Sequence, residues 1–197
     1  MDTIQFQDLL LQSLEHEMGG VKVYEAALQC VVNDDLREEW EKYHEQTKHH
    51  VQVLTEFCPK VGIDPGADSP GRPIVRALGE ALVQAMKTAR EGGNPDAAQV
   101  VAAECVVLAE TKDHLDWELL GKCAGKLKGE AAKALREACE EIEDEEDEHL
   151  YHTRGWCREL WIQGLGMKAI LPPPEEAKDV KTAIGAARAE QSAPKSR

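Results

Sequence analysis

The stretch "EDEEDEHLYH", Glu143 to His152, places six acids and two histidines in ten positions. A charge run of this kind is usually a solvated helix face. Within it, however, Glu146 and His149 form an E-x-x-H pair. On a helix, that three-residue spacing sets a carboxylate and an imidazole on one side, where both can grip a single metal ion. Other polar residues fall where helical spacing otherwise gives apolar ones. Glu17 lies in the series Leu10, Leu14, Glu17, Val21, Tyr24, Leu28, Val31. Glu110 and His114 lie in Val100, Ala103, Val107, Glu110, His114, Trp117, Gly121. Thr47 and His50 lie in Leu36, Trp40, Tyr43, Thr47, His50, Leu54, Phe57. Glu146, His149 and Thr153 lie in Leu135, Ala138, Ile142, Glu146, His149, Thr153, Trp156, Leu160. An ionised carboxylate on a core-facing stripe is costly unless it is paired or bound to a metal.

These positions require long helices, and the chain is written for them. Ala, Leu, Glu and Lys dominate, and alternating runs bounded by hairpin turns are missing. The spacing predicts a first helix over about 3–32 and a second that starts at a capping box of Asp35 and Glu38 and ends near Cys58, before Pro59. A Gly- and Pro-rich loop and a shorter helix over about 73–90 follow. Asn94, with Pro95 at the first helical position, opens the next helix, which runs to about Cys123. A last long helix spans about 130–163. This is an all-α, up-down four-helix bundle with a long crossover that carries an extra helix. The bundle occupies residues 1–171. Residues 172–197 form a Pro-rich linker and tail with one short docked helix, frayed over "QSAPKSR".

The helices also bring the polar residues level. Glu17 lies about 17 residues before the first hairpin turn and His50 about 16 after it. Glu110 lies about 16 before the second turn and Glu146 about 19 after it. At a rise of about 1.5 Å per residue, all four reach a similar height. A shift of 99 residues aligns His50 with His149 and Thr47 with Glu146. The second helix thus reads "TKHH" where a second E-x-x-H would stand. His114, one turn past Glu110, is a candidate for the missing ligand. A rotated second helix would instead present Glu45 with His49, or Glu41 with His44. Glu143, Asp144, Asp147 and Glu148 are read as solvated, and His152 as a group that supports a ligand from behind.

Composition narrows the functional classes. The formal charge of −14 opposes binding to nucleic acid or anionic membranes. No apolar run approaches a membrane span, and the acidic N-terminal stretch lacks the basic region of a signal peptide. Six cysteines without a C-x-x-C pair argue against a zinc ribbon or rubredoxin module and fit free thiols in a reducing cytoplasm.

The pattern over Leu10 to Trp161 resembles the ferritin-like superfamily, which includes rubrerythrins and bacterioferritins. The resemblance implies Glu on the first bundle helix, E-x-x-H on the second, Glu on the third and E-x-x-H on the fourth. It carries to Glu17, His50, Glu110, Glu146 and His149, and departs at Thr47. It implies a di-metal carboxylate centre of iron or manganese that oxidises metal with O2 or peroxide, or removes peroxide. A separate reductase would supply electrons. The alternatives are a single-ion site, for instance zinc, and a non-catalytic stress or scaffold bundle, with the tail docking to itself or a partner in a homodimer.

Overall fold

The computed structural model describes residues 1–192. Four long helices build the bundle: α1 (Thr3–Leu28), α2 (Asp34–Phe57), α4 (Pro95–Ala124) and α5 (Gly129–Gly164), with α3 (Arg72–Glu91) in the crossover. The hairpins α1/α2 and α4/α5 pack side by side through α1 against α4 and α2 against α5. The crossover helix α3 lies across α1 and α4. Two short helices, α6 (Pro174–Ala177) and α7 (Ala183–Ser192), fold back towards α5, two where one was expected. The fraying read over 191–197 falls mostly outside the described residues. Among the described residues there is no strand, and no helix is long and apolar enough to cross a membrane.

Local chemistry sets the helix ends. Asn94 caps α4 by accepting from the Ala97 N–H, with Pro95 next. The start of α2 differs from expectation. Its cap is Asn33, whose side chain accepts from the Leu36 N–H, and Asp34 and Asp35 sit in the first turn, where the helix dipole favours negative charge. The first helix stops at Leu28, four residues early, because Gln99 reaches in and accepts from the Val32 and Asn33 N–H groups at 2.8 and 2.7 Å, holding the turn open.

The expected stripes on α2 and α5 are buried throughout. On α4 the buried face is rotated: Val106, Ala109, Glu110, Asp113, Trp117 and Leu120 face in, while Val107 and His114 are only partly covered. On α1, Val23 and Ala27 take the places expected of Val21 and Leu28.

Two apolar clusters fill the bundle. One contains Tyr24, Leu36, Trp40, Tyr43, Val106 and Trp156. The other contains Leu10, Leu14, Leu54, Trp117, Leu135 and Ile142. Each fully buried leucine contributes about 1.5–3 kcal/mol. Between the clusters lies a polar layer, and all four bundle helices send residues into it.

Candidate metal centre

Glu17, His50, Glu110, Glu146 and His149 are each buried at 3 % exposure or less. Their ligand atoms form two groups, Glu17–His50–Glu146 and Glu110–Glu146–His149, each with all atoms within 4.8 Å of one another. Glu146 belongs to both. His50 Nδ1 lies 3.5 Å from Glu17 Oε1 and 3.1 Å from Glu146 Oε1. His149 Nδ1 lies 3.5 Å from Glu110 Oε2 and 3.5 Å from Glu146 Oε1. The two imidazoles stack at 5.8 Å between centroids.

Six atoms of this layer lack hydrogen-bond partners: Glu17 Oε2, Glu110 Oε2, both Glu146 oxygens, His50 Nδ1 and His149 Nδ1. Buried polar atoms are normally satisfied, so six orphans converging on one layer mark a place built for cations. Carboxylate and imidazole donors suit iron, manganese or zinc. The donor set therefore fits a two-ion centre with Glu146 shared.

The outward-facing atoms are held. His50 Nε2 meets Glu145 Oε2 at 2.9 Å, and His149 Nε2 meets Gln46 Oε1 at 3.0 Å. Such contacts fix ring orientation and strengthen a ligand. Tyr24 donates to Glu110 Oε1 and Trp117 Nε1 donates to Glu17 Oε1, both at 2.7 Å. These two bonds are reciprocal. The aromatic seven residues beyond each glutamate reaches across to the glutamate of the other hairpin. The Tyr43 ring packs on His149 at 4.2 Å, and its hydroxyl meets His152 Nδ1 at 3.0 Å.

The electrostatics are those of a tightly coupled cluster. Burial works against a charged His50, but Glu17, Glu145 and Glu146 outweigh it and hold the imidazole well above its ordinary value. His149 is likewise pushed up to about 9, with Glu110 and Glu146 overcoming burial. For Glu146, burial is overcome by His149 and His50, which draw it down to about 2. Burial raises Glu17. Asp113 is raised well above its ordinary range by burial, then by Glu146, Glu17 and Glu110.

The structure brings together five of the residues singled out by spacing and leaves others apart. His114 lies outside the cluster, its Nδ1 3.4 Å from Asp147, because the inward face of α4 passes through Asp113. His49 is on the surface near Glu141 at 3.1 Å, and Glu45 pairs with Lys48 at 2.7 Å. His44 sits by Glu25 and Glu45, each at 3.8 Å, and Glu41 is exposed. In the acidic run, Glu143 and Asp144 are exposed as expected. Glu148 is not solvated: it is buried and binds Lys42 at 2.5 Å and Lys181 at 2.8 Å. Asp147 is half-covered against His114. Spacing alone did not single out Glu145, Gln46 or Asp113. For Asp113 a signal existed, since it stands three residues from Glu110, on the same face.

A family model described as "Ubiquinone biosynthesis protein COQ7" matches residues 15–156. No curated protein and no solved structure matches the chain. The matched stretch holds every residue of both groups and the two aromatics that cross between hairpins. It spans well over half of the 197 residues, and the chain belongs to the COQ7 family of ferritin-like, di-iron carboxylate proteins.

Proposed function

We infer that this protein is an oxidoreductase that binds two iron ions and uses them with O2 or peroxide to oxidise an apolar ring compound of ubiquinone biosynthesis. The observation that carries this reading is the pair of buried three-residue groups sharing Glu146, with their inward atoms unpartnered. Glu17 and His50 would hold one ion, Glu110 and His149 the other, and Glu146 both. When bound, the two ions supply one-electron steps to the oxidant. The chain's own part is positional. Trp117 and Tyr24 fix one oxygen of each terminal carboxylate, Glu145 and Gln46 fix the imidazoles, and the apolar clusters on either side keep water out. The substrate class follows the family's description. An apolar groove between α1, α3 and α4, lined by Gly20, Val23, Leu78, Leu82 and Ala109, backs onto the Glu17 and Glu110 segments and suits such a molecule. Electrons would come from a separate reductase, since the sequence has no C-x-x-C pair. The free cysteines support a reducing compartment such as the cytoplasm.

Metal analysis tests the centre. Protein purified without chelator, or loaded anaerobically with Fe(II), is expected to hold about two irons per chain. The Glu146→Ala, His149→Ala variant is expected to lose them. Wild-type protein that stays metal-free after loading overturns the reading. With iron bound, oxygen uptake that rises on adding a short-chain quinone precursor supports the ring substrate. Uptake driven by Fe(II) alone, or peroxide loss alone, points to metal oxidation or peroxide removal.

A second reading has its own observation. Thr47 leaves α2 without a carboxylate at the centre, which favours a single-ion site, zinc included, or a non-catalytic bundle. One ion per chain without oxygen uptake would support it.

A further inference from the structure

We propose that Asp113 supplies the carboxylate that α2 lacks, as an added metal ligand on the Glu17–His50–Glu146 side of the centre. This assignment rests on the two-ion reading above.

Thr47 has no carboxylate to offer an ion. Its hydroxyl donates to the Tyr43 carbonyl at 2.9 Å. Its methyl packs against α1, where a Cβ built on Gly20 would meet it at 3.2 Å. The helix α2 therefore gives one donor to the centre where α5 gives two.

The internal repeat shows where the charge went. A shift of 93 residues carries Glu17 onto Glu110, Tyr24 onto Trp117 and Gly20 onto Asp113. The shift of 99 carries Thr47 onto Glu146 and His50 onto His149. The first hairpin thus pairs Gly20 with Thr47 where the second has Asp113 and Glu146. Two small groups on one side answer two acids on the other.

Asp113 has no other occupation. It is 4 % exposed, its Oδ1 has no hydrogen-bond partner, and no Lys, Arg or His pairs with it among the described residues. The neighbouring bases go elsewhere: Lys112 binds Asp116 at 2.6 Å and His114 faces Asp147. Its oxygens stand outside the two groups whose ligand atoms lie within 4.8 Å of one another, and the charges that act on it most strongly are Glu146 and Glu17, ahead of Glu110. Trp117, one turn further along the same face, already reaches Glu17. A lone buried carboxylate without a partner, one turn along a helix face from Glu110, is strongly unfavourable, and a cation bound beside it removes the penalty.

The test compares wild type, Asp113→Asn, Thr47→Glu and the Thr47→Glu, Asp113→Asn double variant. Each is loaded anaerobically with Fe(II), desalted, and its iron counted per chain. Each metal-free form is melted by circular dichroism. Wild type is expected to hold two irons. Asp113→Asn should lose one, or bind it at least about 10-fold more weakly, while its metal-free form melts no lower than wild type. The double variant should regain the second iron. Asp113→Asn that keeps both irons at unchanged affinity overturns the assignment and leaves the two-ion reading intact. So does a metal-free Asp113→Asn that melts below wild type, or a folded double variant that stays at one iron. A wild type that holds no iron overturns both.

Discussion

Each terminal carboxylate of the centre is steered by an indole or phenol from the opposite hairpin, and the two bonds are separable. Removing the Tyr24 hydroxyl leaves Glu110 Oε1 without its donor, and removing the Trp117 N–H does the same to Glu17 Oε1. Tyr24→Phe and Trp117→Phe should each weaken iron binding by about 10–100-fold, the range for groups that orient a ligand. Competition with a chromophoric chelator measures this. Because the two bonds serve different halves, each variant should weaken one ion and spare the other. The residues of this layer were unevenly legible. Glu146 and His149 are announced by their own spacing, and His50 by alignment with His149. Glu145 and Gln46 were not readable, because each acts on a histidine of the other helix and nothing in the local sequence marks that meeting. On α4, Asp113 and His114 stand three and four residues past Glu110, and both spacings suit one helix face. Packing chose the first.

At the scale of elements, the four long helices were plain because their apolar periodicity and caps agree. The boundaries that shifted did so for tertiary reasons: Gln99 of α4 ends the first turn, which no local signal in α1 encodes. The crossover helix meets α1 where Gly79 and Gly19 face each other. A Cβ built on Gly79 would lie 3.6 Å from the Gly19 Cα, ordinary contact with little room beyond. Gly79→Ala should therefore be tolerated and gain up to about 1 kcal/mol from helix propensity. Gly79→Leu should push α3 outward and cost about 1–3 kcal/mol. Urea unfolding of the two variants decides it, and a stable Gly79→Leu would show that α3 is not pinned at this crossing.

For the molecule as a whole, the tail is fastened by charge. Arg158 on α5 grips Glu175 at 2.7 and 2.9 Å, and Glu176 accepts from Trp156 Nε1. Burial pushes Glu176 from 4.5 up to about 7, with the Trp156 N–H opposing and Glu39 and Asp35 adding to the rise. A carboxyl raised on folding holds its proton better in the folded state, so docking weakens as pH rises from about 4.5 to about 7 and levels off above. Hydrogen-exchange protection factors over 174–192, which divide out the base-catalysed intrinsic rate, should be lower at about pH 8 than at about pH 5, and Glu176→Gln should remove the difference. Equal protection factors at both values would refute this account of the tail. Composition announced a linker and a docked piece, but not this anchor, because the partners lie some twenty residues apart on separate elements.

The crossed Tyr24 and Trp117 bonds also bear on assembly. The first hairpin carries no complete seat for an ion, because it lacks Glu146, while the second holds Glu110, Glu146 and His149 but lacks the donor to its own terminal glutamate. A chain nicked in the turn between α3 and α4 would have to bring its two pieces together before the Glu17–His50–Glu146 ion could be held. Retention of that ion by such a nicked protein would then depend on the concentration of the pieces, and the bound ion would act as the rivet between them.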